Sequence, residues 1–184
     1  LDMLNGDANG LPPLHSTMVV QAWAKAMQSA FDQLNAELDA NPEAETAIDP
    51  KAMQWLGSLY NNTGWSYHDK GEYQKALKTF EKGLVFRTVN QHPIKTILIA
   101  KWCVARANRS LGNIDEALRL QQILKAEYEK HALKSDGYVF EELALLYDLK
   151  GDAAAAKDAA QNALDILSAD SYFMQNETAR VDKL

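Results

Sequence analysis

Three glycines, Gly71, Gly112 and Gly151, stand 41 and 39 residues apart, and each is followed by a polar residue and then a helical pattern. The strings are Gly71-Glu72-Tyr73, Gly112-Asn113-Ile114 and Gly151-Asp152-Ala153. A glycine just past the last helical residue supplies the left-handed cap that a branched residue resists. Laid on these glycines, the flanking segments agree elsewhere too. Seven residues upstream stand Gly64, Ala105 and Ala144, and five downstream stand Ala76, Ala117 and Ala156. Small residues at paired positions let the two helices of a hairpin cross closely. Self-similarity at about forty residues marks a stack of repeated helical units, and no alternating strand pattern interrupts it. The fold class read from this is all-α.

The remaining chain divides around that repeat. Residues 1–16 read as coil, punctuated by Gly6, Gly10, Pro12 and Pro13. Val19, Trp23, Met27, Phe31, Leu34 and Leu38 then form one apolar stripe on a helix. Asn41-Pro42 ends it, since a residue before proline is pushed out of the helical region. Residues 17–48 are expected to be either an N-terminal cap or the second helix of a degenerate unit. Asp49-Pro50 opens the repeats as N-cap and first-turn proline. Three hairpins are expected over 49–169, their first helices at 51–69, 94–111 and 137–150. Residues 170–184, with Phe173, Val181 and Leu184, read as a C-terminal cap. The chain opens at Leu1 without an initiating Met, so a segment upstream, removed by cloning or processing, is expected.

Tyr60, Gly64, Trp65, Tyr67, Gly71-Glu72-Tyr73, Ala76-Leu77, Phe80 and Gly83 fall at the spacing of the tetratricopeptide repeat, and this unit resembles that family closely. The third unit resembles it through Phe140, Leu143, Ala144, Tyr147, Gly151-Asp152, Ala156, Ala160 and Ala163. The middle unit keeps Val104, Ala105, Gly112, Ile114 and Ala117, but carries Asn108 and Gln121 where the family prefers aromatic residues. Units near forty residues exceed the family's usual length of about 34 and are similar to the long repeats of kinesin light chains. The resemblance, over residues 51–168, implies a right-handed α-solenoid. Its first helices would line a concave groove for a peptide or a partner protein.

By that resemblance the groove residues are Asn61, Trp65 and His68 on the first unit, Trp102, Arg106 and Arg109 on the second, and Tyr138 and Glu141 on the third. Asp69, Glu142 and Leu145 share the same faces. Trp, Tyr and Arg dominate binding energy at many interfaces. Trp102 can equally pack against the neighbouring hairpin, and His68 and Arg109 can be plain surface residues. A clamp for a chain-terminal carboxylate, as in chaperone-binding members, is disfavoured because Glu141 and Glu142 would repel it.

Composition narrows the function further. The net charge is −6 over 184 residues, which speaks against nucleic acid and anionic membrane as partners. No apolar run reaches the length of about 18 residues that a membrane span needs. The four histidines are scattered, and none belongs to a His-Glu-x-x-His zinc helix. Cys103, the single cysteine, reads as a buried inert thiol in a reduced, cytoplasmic setting. Asn5-x-Asp7-x-Asn9-Gly10 opens like a calcium loop but closes on Ser16. No catalytic residue, metal or cofactor is expected, and the chain reads as a binding scaffold, not an enzyme. The alternatives are self-association of identical chains, or service as the regulatory segment of a larger protein. On this reading Trp65→Ala and Arg106→Ala weaken binding and leave the melting temperature nearly unchanged.

Overall fold

The computed structural model describes residues 50–134 and 136–170, with side chains from Leu56 onward. It also describes single positions among residues 29–40, and Phe173, Met174 and Arg180. The chain divides into two compact units, Leu1–Trp55 and Leu56–Leu184. The helix expected over 17–40 lies outside the described residues apart from Ser29, Asp32, Gln33, Ala36 and Ala40. These five are helical and exposed, and none belongs to the apolar stripe. The expected coil over 1–16 also lies outside them.

From Pro50, six helices follow one another among the described residues: α1 (Pro50–Asp69), α2 (Tyr73–Val89), α3 (Ile94–Ser110), α4 (Ile114–Lys130), α5 (Gly137–Leu149) and α6 (Ala153–Leu167). No strand occurs among the described residues. The three glycine turns are built alike. Gly71 takes φ +76°, Gly112 +81° and Gly151 +78°. In the first turn Glu72 N–H donates to Tyr67 O at 2.9 Å and Gly71 N–H to His68 O at 2.9 Å. The same pair of bonds recurs from Asn113 and Gly112, and from Asp152 and Gly151, which satisfies the last carbonyls of each helix.

The turns between hairpins use the same device without glycine. His92 N–H donates to Arg87 O and Leu133 N–H to Tyr128 O, with Gln91 at φ 50° and Ala132 at φ 51°. A left-handed non-glycine residue costs about 1–2 kcal/mol, so tertiary packing holds these two turns.

From α2 onward each helix packs on the next, and α3 also touches α5. In the first hairpin the helices run antiparallel. A methyl group on Gly64 would collide with the Phe80 ring, and one on Gly83 would lie 2.8 Å from Tyr60 Cβ. Further along, Arg87 donates to Gly57 O and to Thr96 O, each at 3.0 Å, which ties α1, α2 and α3 together. The apolar core passes from hairpin to hairpin. Leu77 and Phe80 of α2 pack with Cys103, Val104 and Ala107 of α3. Leu98 and Leu124 pack with Leu143, Ala144 and Ala159 of the last hairpin. Phe173, beyond α6, is fully buried against Ala163 and Leu167.

The middle unit departs from its neighbours at two buried polar residues. Asn108 is satisfied: its amide donates to Val104 O at 3.0 Å and its oxygen accepts from Asn113 at 3.1 Å. Gln121 is fully buried, and neither its amide nitrogen nor its oxygen has a hydrogen-bond partner among the described residues. A buried amide group left unpaired costs about 1–3 kcal/mol.

Two substitutions should therefore move stability in opposite directions. Gly64→Ala forces the Phe80 ring aside and should cost about 1–3 kcal/mol in urea denaturation; an unchanged midpoint would contradict the close crossing. Gln121→Met keeps the volume and removes the unpaired amide, and should gain on the order of 1 kcal/mol. A loss there would show that the amide is bonded in the folded chain.

Candidate functional site

The helices α1, α3 and α5, with Phe173 beyond α6, present a continuous row of aromatic rings. Trp65 lies 5.9 Å from Trp102, Trp102 lies 6.3 Å from Tyr138, and Tyr138 lies 5.8 Å from Phe173, ring centre to ring centre. These spacings fall within the range of favourable tilted and edge-to-face pairs. Trp65 is also braced by Phe80 at 5.2 Å and His68 at 5.0 Å. The indole N–H of Trp102 donates to Tyr138 O at 3.2 Å, so the row is fixed in orientation as well as position. Trp65 and Trp102 are half-buried, each with one part packed and one part open. Trp102 packs on the next hairpin and also borders an open cavity.

Beside the rings runs a network of charges. Arg109 grips Glu142 through two bonds, of 2.7 and 2.9 Å, and Arg106 Nε reaches the same carboxylate at 3.1 Å. Arg106 also donates to Ser110 Oγ at 3.2 Å, and that hydroxyl meets His68 Nε2 at 2.8 Å. Burial, and then the nearby Arg106 charge, hold His68 below the usual imidazole range. Burial likewise lowers Arg106, opposed by the attraction of Glu142. Two guanidinium groups share one carboxylate here, so this part of the face keeps a net positive charge.

Glu141, next to Glu142 on α5, turns the other way and is gripped at both oxygens by Arg180, with Nε 2.9 Å from Oε1 and the second contact shorter. The Arg180 guanidinium also lies 5.3 Å from the Tyr138 ring centre and 5.5 Å from that of Phe173. Glu141 and Glu142 are only 6% and 2% exposed. This corrects the expectation that they line the groove as open acids. Each is neutralised by arginine from another segment, because a carboxylate taken out of water must be paired. Their supposed repulsion of a carboxylate ligand loses its basis for the same reason.

Of the residues expected to form the site, Trp65, His68, Trp102, Arg106, Arg109 and Tyr138 are brought together along this face, while Glu141 is buried against Arg180. Asn61 stands apart: its amide meets Asn62 at 3.4 Å and its oxygen meets the Cys103 thiol at 3.5 Å. Cys103 is buried, and burial pushes its thiol up to about 12. Trp65 carries ring contacts to three neighbours, and Arg106 helps to neutralise a buried acid. With these contacts Trp65→Ala and Arg106→Ala are expected to lower stability as well as binding.

An open cavity of about 380 Å³ lies against the row, lined by Ile99, Trp102, Asp136, Tyr138 and Arg180. Asp136 is held by the Tyr128 hydroxyl at 2.9 Å and Tyr138 N–H at 3.0 Å, so its walls offer mainly apolar surface. Sequence reasoning missed Ile99, Asp136, Ser110 and Arg180. The repeat itself could have found Arg180, which follows Glu141 by 39 residues, as Glu141 follows Trp102.

Glu142→Gln removes the charge that two partly buried arginines share. It should destabilise the chain by about 3–5 kcal/mol, with a matching fall in denaturation midpoint; a change under about 1 kcal/mol would show the network to be solvent-screened.

Comparison with known proteins touches the other end of the chain. Residues 1–55 match the family model described as glucose-regulated metallo-peptidase M90. The match covers 55 of the 184 residues and ends where the first compact unit ends. No curated protein matches the sequence.

Proposed function

We propose that residues 49–169 form a tetratricopeptide-like right-handed solenoid, and that the chain is a protein-interaction module. Its ligand is an extended peptide or a partner's helix, held along the face of α1, α3 and α5. The observation that carries this reading is the row Trp65–Trp102–Tyr138–Phe173, bordered by arginines and opening on an apolar cavity. Amphipathic rings already fixed by packing lose little freedom when a partner arrives, so more of each contact remains as affinity. The polar groups along the row are bonded to one another, which leaves apolar and aromatic surface as the part that a ligand covers. The chemistry is that of recognition.

A second reading is favoured by the similarity of residues 1–55 to a metallo-peptidase family. In it the hairpin stack is the regulatory or recruiting part of a peptidase, and the groove holds the protein to be presented or a regulator of it. The two readings share the same face and differ in what is attached to it.

The test is capture of proteins from the source cell's lysate by this chain and by Ile99→Glu. Ile99 is 40% exposed and borders the cavity, so a carboxylate there should leave the fold intact. A partner held by the first and weakened at least about tenfold in the second supports the groove. Equal retention by both chains would move the binding surface elsewhere. Metal-dependent cleavage of the retained protein would select the second reading.

A further inference from the structure

We propose that Glu141, Tyr138 and Phe173 form a guanidinium-binding site, which Arg180 occupies in the resting chain and which an arginine of a partner peptide takes by displacing it. This inference rests on the groove reading for the origin of its ligand, and adds the residue type that the groove selects.

The site is built for a planar, bidentate cation. The Glu141 carboxylate is buried, and both of its oxygens face the two parallel donors of Arg180. A guanidinium matches that pair of acceptors, while an ammonium meets it as a single point. The rings of Tyr138 and Phe173 stand within 5.5 Å of the same cation and attract it through their faces. A buried carboxylate without a cation is costly, so the site demands an occupant.

Two further features make exchange of that occupant reasonable. Arg180 is half-buried and borders the open cavity, so the bound cation can be approached from outside. The wall that leads to it, through Ile99 and Trp102, suits an apolar side chain next to the incoming arginine. Arg180 competes as part of the same chain, with an effective concentration on the order of millimolar. A lone arginine therefore fails against it, and a peptide that also covers the aromatic row succeeds. The site thus rejects free arginine and accepts arginine in the right polypeptide.

The experiment uses the full chain and Arg180→Ala. Removing the cation should lower the melting midpoint by about 5 °C or more. N-acetyl-arginine amide at millimolar concentration should restore part of that loss, and N-acetyl-lysine amide should not. The double variant Arg180→Ala/Glu141→Gln should show no response to either. If Arg180→Ala does not fold, Arg180→Gln, which keeps part of the stem and supplies no cation, should give the same selective response. A peptide carrying arginine beside an apolar residue should bind Arg180→Ala at least about tenfold more tightly than the unaltered chain. No rescue by the arginine amide, or equal rescue by lysine amide, overturns the guanidinium site. Equal peptide affinity for both chains overturns the displacement. Because the amide rescue involves no peptide along the row, it can succeed where Ile99→Glu shows the groove reading to have failed.

Discussion

The close crossing of α1 and α2 at Gly64 governs much of what lies around it. With no side chain there, the Phe80 ring lies against the backbone of α1, and it also packs edge-to-face with Trp65. Trp65 in turn sets the start of the aromatic row that runs through Trp102 to Tyr138. A core contact and a surface feature are thus one piece of packing. The absence of a β-carbon on one helix fixes a ring that others lean against three helices away.

Electrostatics then divide the face into two parts. Glu142 is answered from α3 by Arg106 and Arg109, and Glu141 from beyond α6 by Arg180. Adjacent carboxylates on one helix therefore tie α5 to a different neighbour on each side. Buried pairs of this kind add little net stability over apolar packing, but they penalise any arrangement that leaves a charge unmatched. They fix which segment lies next to which. The same rule gives the end of the row a chemical preference, since an acid held out of water has to keep a cation.

The helices and their turns were legible because they rest on local chemistry. Gly71, Gly112 and Gly151 sit in left-handed caps, and the small residues Ala76, Ala105 and Ala117 are buried. The turns at Gln91 and Ala132 were not marked, since ordinary residues are held left-handed there by their surroundings. On the site, analogy pointed to Trp, Tyr and Arg on the first helices, and six of the eight residues gather on one face. Burial of Glu141 and Glu142 was not readable, because the arginines that neutralise them come from other helices and from residue 180. Helical phase says which way a side chain points; it does not say what arrives to meet it.

Gln121 has a consequence for how the molecule comes apart. In a row where each helix touches chiefly its neighbours, cohesion is a sum of local terms, and the weakest junction decides where the row parts. The unpaired amide is one such weakness, in the central unit, on α4. It lowers the cost of opening at that point, where a break would leave a smaller block on either side. One block carries Trp65 and the other Tyr138, so the aromatic row is continuous only while the centre stays closed. A ligand spanning both would act as a splint, and its affinity would be coupled to the stability of a residue that it never touches.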